Sequence, residues 1–179
     1  MYPVIRMLWQ LWQHRKSPPL PVTGTHVSHH YCLPWDIDLW RELNNGRTLT
    51  LYDLGRIPLA GRVGLIAVLR RERWGLTMAG ASVRYRRRIR VFDRIEMRSR
   101  LISWDDKFMY LEQSMWSRDG HCASHILYRS AVTGRGGIVP PGDVLAALGQ
   151  PNLAAPPLPG WVQAWIEAEA ARPWPPMQE

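Results

Sequence analysis

Asp36 and Asp38, followed by Asn44, Asn45 and Gly46, are the densest group of residues able to do chemistry in this 179-residue chain. In an extended segment, carboxylates two residues apart point the same way. Asn44 and Asn45 suit the N-cap of a helix, because a side-chain amide oxygen accepts from the first free helical N–H groups. Thr48, Leu49, Leu51, Tyr52 and Leu54 recur at helical spacing and predict a helix opening at Asn45. Acids so placed stand near the positive end of a helix dipole. That arrangement can polarise a carbonyl and attack it. Asp38 would act as general base or nucleophile, and Asp36 would raise one carboxylate's pKa by like-charge repulsion. Backbone N–H groups at the helix start would hold the developing oxyanion, with Gly46 allowing close approach of a substrate. The alternative is structural: the two acids cap the bend, and the asparagines cap the helix and do nothing else.

A second group is a row of arginines, Arg84, Arg86, Arg87, Arg88 and Arg90. Guanidinium forks match phosphate oxygens as bidentate donors. The competing reading is a solvated sheet face paired with Glu96 and Glu112 on neighbouring strands. Nucleic acid is disfavoured as a partner, since the one aromatic within the row, Tyr85, falls on the apolar side and offers bases nothing to stack on. His26, His29 and His30 lack partners at metal-ligand spacings, and His121 and His125 fall in a strand, so no metal is expected.

Positioning these groups requires a particular order of elements. Thr23 to Leu33 predicts a first strand with Val27 and Tyr31 on its apolar side. The Asn45 helix is expected to break at Pro58-Leu-Ala-Gly61, with a shorter helix over Val63 to Arg71. Gly55 inside the main helix costs about 1 kcal/mol against alanine, which close approach to a surrounding sheet would offset. Strands are predicted over 78–89, 94–103, 107–116 and 121–132, the third hairpin turning at Asp119-Gly120. Gly134-Arg-Gly-Gly137 lacks the Lys-Ser/Thr of a phosphate loop and is expected to be a flexible loop. Short helices are predicted over 142–148 and 161–171. A strand, a long helix and an antiparallel meander make an α+β layer pair.

The chain is long enough to bury a core without metals or disulfides. Two cysteines, Cys32 and Cys122, define no disulfide framework and demand no oxidising compartment. The net charge of +8, almost all from arginine, favours anionic partners. Residues 1–16 form an amphipathic stretch: Val4, Ile5, Leu8, Trp9, Leu11 and Trp12 fit one broad face, with Arg6, Gln10, Gln13 and His14 opposite. It is too interrupted for a signal peptide or a spanning helix. It would dock on the domain or a partner subunit, or lie on a membrane surface. The cytoplasm is the expected compartment. Three regions follow: an N-terminal helix and Pro-rich linker over 1–20, a domain over 21–149, and a strap over 150–179 that holds seven of the fifteen prolines.

Asp-Ile-Asp38, then Asn44-Asn45-Gly-Arg opening a helix, resembles the hotdog-fold thioesterases of the acyl-CoA and 4-hydroxybenzoyl-CoA thioesterase type. The likeness continues in Ala79-Gly-Ala-Ser-Val-Arg-Tyr-Arg-Arg87, in Phe92-Asp-Arg-Ile-Glu96 and in Leu101 to Glu112. It implies a curved sheet wrapped around a central helix, a homodimer or dimer of dimers with sites at the subunit interface, and hydrolysis of an acyl-CoA thioester without metal or redox cofactor. In such enzymes the acid matching Asp38 is the base or nucleophile. With such a substrate the arginine row, Arg86 and Arg88 foremost, would hold the phosphates of coenzyme A through bidentate donors. Plant acyl-carrier-protein thioesterases carry Asp-x-Asp-x-Asn-x-His-x-Asn-Asn here; this chain has Trp40 for the asparagine and Glu42 for the histidine. A carboxylate at Glu42 can make the same proton transfer, whereas Trp40 cannot replace an amide. A non-catalytic dimer that binds acyl-CoA or lipid is therefore the second reading, and a membrane or nucleic-acid binder the third.

Overall fold

In the computed structural model, residues 2–177 are described; Met1 of the N-terminal segment and the last two residues of the strap lie outside them. The order is α1 (Val4–His14), β1 (His26–Tyr31), α2 (Asn45–Arg62), α3 (Leu65–Glu72), β2 (Gly75–Tyr85), β3 (Arg94–Trp104), β4 (Met109–Trp116), β5 (Cys122–Gly134), β6 (Gly137–Val139), α4 (Pro141–Ala147) and α5 (Gly160–Ala170). The strands form one antiparallel sheet in the order β1-β3-β4-β5-β2, with β6 also pairing with β5. The sheet curls around α2, the curved-sheet and central-helix arrangement that the resemblance implies.

Gly55 explains how α2 lies so close to the sheet. A Cβ there would stand 2.6 Å from Met97 Sδ and 2.6 Å from Ser99 Oγ on β3. Its neighbours Leu51, Tyr52 and Leu54 are fully buried with Ile95, Met97, Met115 and Ile126 from the concave sheet face. Gln113 ties the layers together by donating to Tyr52 O at 2.9 Å and to Ser99 Oγ at 2.7 Å. On the convex face, Val162 and Trp165 of α5 pack on Tyr110, Leu127 and Phe108, while Ser103 holds Pro156 O at 2.7 Å.

Four expectations are corrected. Pro58 does not break α2, which continues to Arg62 with Pro58 buried; packing on the sheet outweighs the lost N–H donor. Residues 134–137 turn tightly into β6 instead of forming a loose loop. The strand expected over 78–89 ends at Tyr85, since both Arg86 N and Arg87 N donate to Ala123 O and leave the ladder. β1 is turned over: His26, Ser28 and His30 are buried while Val27 and Tyr31 are exposed. The reason is its neighbours. Arg62 donates to His26 Nδ1 at 3.0 Å, the His14 ring meets His26 edge-on, and Ser28 Oγ lies 2.8 Å from His30 Nε2.

Candidate functional site

The two acids of the bend part company. Asp36 lies in a 3-10 turn (Pro34–Asp36), not an extended segment, and is fully buried. Its Oδ2 accepts from Arg6 Nη1 at 2.7 Å and Leu33 N at 3.0 Å; its Oδ1 accepts from Arg47 Nη2 at 2.7 Å and Nε at 3.1 Å. Burial alone would raise its pKa, but the donors from Arg47, Leu33 and Arg6 outweigh burial and hold it below the ordinary value. An acid so engaged has no lone pair directed at a ligand. It joins α1, the turn and the first turn of α2.

Asp38 begins a small hairpin closed by the Ile37–Leu43 bridge, and its Oδ1 accepts from Trp40 N at 2.8 Å. Trp40 is exposed and Glu42 pairs with Arg88 at 2.9 Å. Asn44 is the N-cap, its Oδ1 accepting from Arg47 N at 3.1 Å. Asn45 and Gly46 are exposed, and their N–H groups, the first of α2, have no intramolecular acceptor among the described residues. The arginine segment comes to this same place. Leu43 N donates to Ile89 O at 2.8 Å, and Tyr85 Oη reaches Asn45 O at 3.4 Å. Glu96 and Glu112, the expected partners of the row, are taken by Arg98 and Arg100 instead. The guanidinium groups of Arg84, Arg86, Arg87 and Arg90 are exposed and make no ion pair among the described residues. The α2 N-terminus and the 86–90 loop thus form one cationic surface.

A third acid escapes the motif altogether. Asp53 lies two turns into α2 and pairs with Arg56 at 2.5 Å; both side chains are mostly buried. The Tyr2 phenol hydrogen-bonds it, and the Arg56 guanidinium carbon lies 4.5 Å from the Tyr128 ring centroid. Burial raises the Asp53 pKa above its ordinary value, outweighing both the Arg56 charge and the Tyr2 hydrogen bond. Asp53 faces an open groove of about 450 Å3 between α2 and β2, lined among others by Leu49, Thr50, Ala79 and Gly80. Arg56 and Met78 line this groove and also an apolar cavity of about 60 Å3 running toward Leu59, Leu65 and Leu148. The sequence holds one signal for it: an ionisable residue between Tyr52 and Leu54, in the apolar stripe of a central helix.

Distance separates the two acid sites. Gly46 and Asp53 are seven residues apart on one helix, roughly 10 Å along its axis at about 1.5 Å per residue. Within one subunit a single carbonyl cannot lie against both the α2 N-terminus and Asp53.

Comparison with known proteins agrees with the fold. The profile of the thioesterase-like superfamily matches residues 32–166. The chain is 32% identical over 136 residues to the Xenopus laevis protein THEM6, covering 75% of this chain and 64% of that protein. It is 32% identical over 152 residues to the Danio rerio protein of the same name, covering 84% and 73%. The chain thus spans about two thirds of the length of these relatives. Two Staphylococcus aureus structures share the fold: SAV2348 in complex with CoA, with a TM-score of 0.61, 11% identity and 79% and 93% coverage, and a DHNA-CoA thioesterase, with 0.60, 10% and 82% and 91%.

Proposed function

The chain belongs to the thioesterase-like superfamily, and from that membership we propose that it hydrolyses an acyl-CoA thioester to free acid and thiol. One observation carries the reading: Asp53, a carboxylate whose pKa burial raises, lines an open groove beside Arg56, which also lines an apolar cavity. In its ionised form Asp53 takes a proton from water as the water oxygen bonds to the thioester carbonyl carbon. Arg56 offers a cation to the oxygen on which charge develops. The C–S bond then breaks, and the leaving thiolate receives the proton from Asp53. The acyl group lies in the open groove beside Asp53, with its tip toward the small apolar cavity.

The coenzyme A portion suits the cationic surface. The free N–H groups of Asn45 and Gly46 at a helix N-terminus, beside Arg86 and Arg88, are matched to phosphate oxygens. The long pantetheine arm bridges from there to Asp53. β2 has no strand partner on its outer edge among the described residues. A second copy pairing there would make a homodimer and close the groove. The cytoplasm suits the two unbridged thiols, Cys32 and Cys122.

The test is thiol release from short-chain, long-chain and aromatic acyl-CoAs by wild type, Asp53→Asn and Asp38→Asn. General-base loss predicts a fall of about 100-fold or more in kcat for Asp53→Asn, with a smaller effect of Asp38→Asn. The reverse order would return the base to Asp38. The exposed Trp40 and the Arg88-bound Glu42 favour one other reading, a binding dimer without turnover. No thiol release by wild type, together with a raised melting temperature in acyl-CoA, would establish it.

A further inference from the structure

The N-terminal helix leaves most of its apolar residues in the open. α1 is an 11-residue helix whose buried residues are Met7 and Gln10, with Arg6, Leu11 and His14 partly covered beside them. Arg6 binds Asp36 and Tyr31 O, each at 2.7 Å, while Met7 and Leu11 reach the core, so a mixed stripe of polar and apolar side chains fastens the helix to the domain. The apolar stripe faces out: Val4, Ile5, Leu8, Trp9 and Trp12 are all more than half exposed, Ile5 by 84%. Amphipathic helices of globular proteins bury the apolar face and solvate the polar one. Here the larger part of the apolar side stays in the open.

We propose that this face is a docking surface for an anionic lipid bilayer. Three observations favour a bilayer over a protein. First, the strip is narrow: an 11-residue helix is roughly 16 Å long and 10 Å across, well short of the ~800 Å2 per partner of a stable protein interface. Second, its composition is interfacial. Trp9 and Trp12 stack at 5.0 Å between ring centroids, and amphipathic indoles favour the headgroup boundary. Third, its end is cationic. Arg15 lies 4.3 Å over the Trp12 ring, and exposed Lys16 follows, so anionic headgroups would meet positive charge beside the inserted rings. The total charge of +8 acts in the same direction.

The surface also leads toward the candidate site. A groove of about 790 Å3 opens beside the start of α1, lined by Tyr2, Val4, Ile5, Trp35 and Arg47. Tyr2 lines this groove and the Asp53 groove as well. A molecule taken from the bilayer surface would therefore reach Asp53 along a partly apolar path. Docking itself requires no turnover, so its test is separate from that of hydrolysis.

The experiment is co-sedimentation of the full chain with phosphatidylcholine vesicles and with phosphatidylcholine–phosphatidylglycerol vesicles. Wild type should partition to the anionic vesicles and weakly to the neutral ones. Leu8→Ser/Trp9→Ser should lower partitioning at least tenfold at an unchanged melting temperature, both side chains being exposed. Arg15→Gln/Lys16→Gln should lower it roughly 25-fold on anionic vesicles, about fivefold per cation, and leave neutral vesicles unaffected. The proposal is overturned if wild type ignores anionic vesicles or if the Leu8/Trp9 variant sediments like wild type. It is equally overturned if the variant changes only self-association of the free protein, since the face would then belong to a second copy.

Discussion

Replacing Asp36 with alanine tests whether the most prominent acid of the motif is chemical or structural. The carboxylate is fully buried and accepts four hydrogen bonds, three of them from the guanidinium groups of Arg6 and Arg47. Removing one partner of a buried ion pair costs about 3–5 kcal/mol, because the remaining charge stays behind unpaired. Here two cations remain and repel each other. Both arginine side chains keep 18% of their exposure, so water compensates them in part. The lower end, about 3 kcal/mol, is therefore expected, or a fall in Tm of roughly 6–12 °C for a chain of this size. Urea unfolding followed by tryptophan fluorescence measures it.

Two further results belong to the same experiment. Arg6→Ala should cost little once Asp36 is alanine, since the two act as a pair in a double-mutant cycle. The pH dependence has a defined sign. Asp36 is held below its unfolded pKa, so its stabilisation is complete above the ordinary carboxylate value and is lost as pH falls through the lower folded value. A cost under about 1 kcal/mol, combined with loss of turnover, would refute the structural assignment and make Asp36 a chemical group.

Gly55→Ala should destabilise by about 1–3 kcal/mol through overpacking, despite alanine's better helix propensity, because the new methyl meets Met97 and Ser99 at 2.6 Å; a raised Tm would contradict the close approach of α2 to β3. Burial, with nearby cations adding to it, pushes His30 down to about 3 and His26 down to about 4, so both stay neutral in the fold while the unfolded chain protonates near 6.5. Urea midpoints should therefore fall as pH drops from 6.5 toward 4, and His30→Gln should flatten that slope. For Asp53 the sign is opposite: a raised folded pKa means that ionisation costs stability as pH rises through it, while base catalysis gains. The acid limb of kcat/KM should lie above the ordinary carboxylate value, and Asp53→Asn should keep its Tm at neutral pH; a limb at or below that value would remove Asp53 as the base.

The order of elements was legible because it rests on local rules. Asn44 caps α2 through Arg47 N as its side chain predicts, and the β-hairpins follow alternating residues and Asp119-Gly120. The faces of α1 and β1 were not legible, for one shared reason. Periodicity reports which residues lie together, not which neighbour they meet. Arg6 is drawn inward by Asp36, and His26 by Arg62 and His14, pairings between residues 30 and 36 positions apart in two of the three cases. A polar stripe whose partners are distant in sequence looks like a solvent face until the fold brings those partners to it.

The same limit explains why the motif drew attention to the bend rather than to Asp53. Two acids and two asparagines in close succession form a visible pattern, yet their side chains are largely used at home: Asp36 by arginines, Asp38 by Trp40 N, Asn44 by Arg47 N. Asp53 has no pattern around it and is set apart by burial, which no single residue announces. The chain retains the framework of the bend while Trp40 and Glu42 stand where the sequence resemblance leads one to expect an amide and an imidazole. A raised acid on the helix would leave those two positions without a chemical duty. If Asp53 carries the proton, Glu42 serves by anchoring Arg88 beside the α2 N-terminus. Glu42→Gln should then raise KM for acyl-CoA while leaving kcat nearly unchanged. A fall in kcat at constant KM would instead make Glu42 the stand-in for the missing histidine, and the bend the reacting centre.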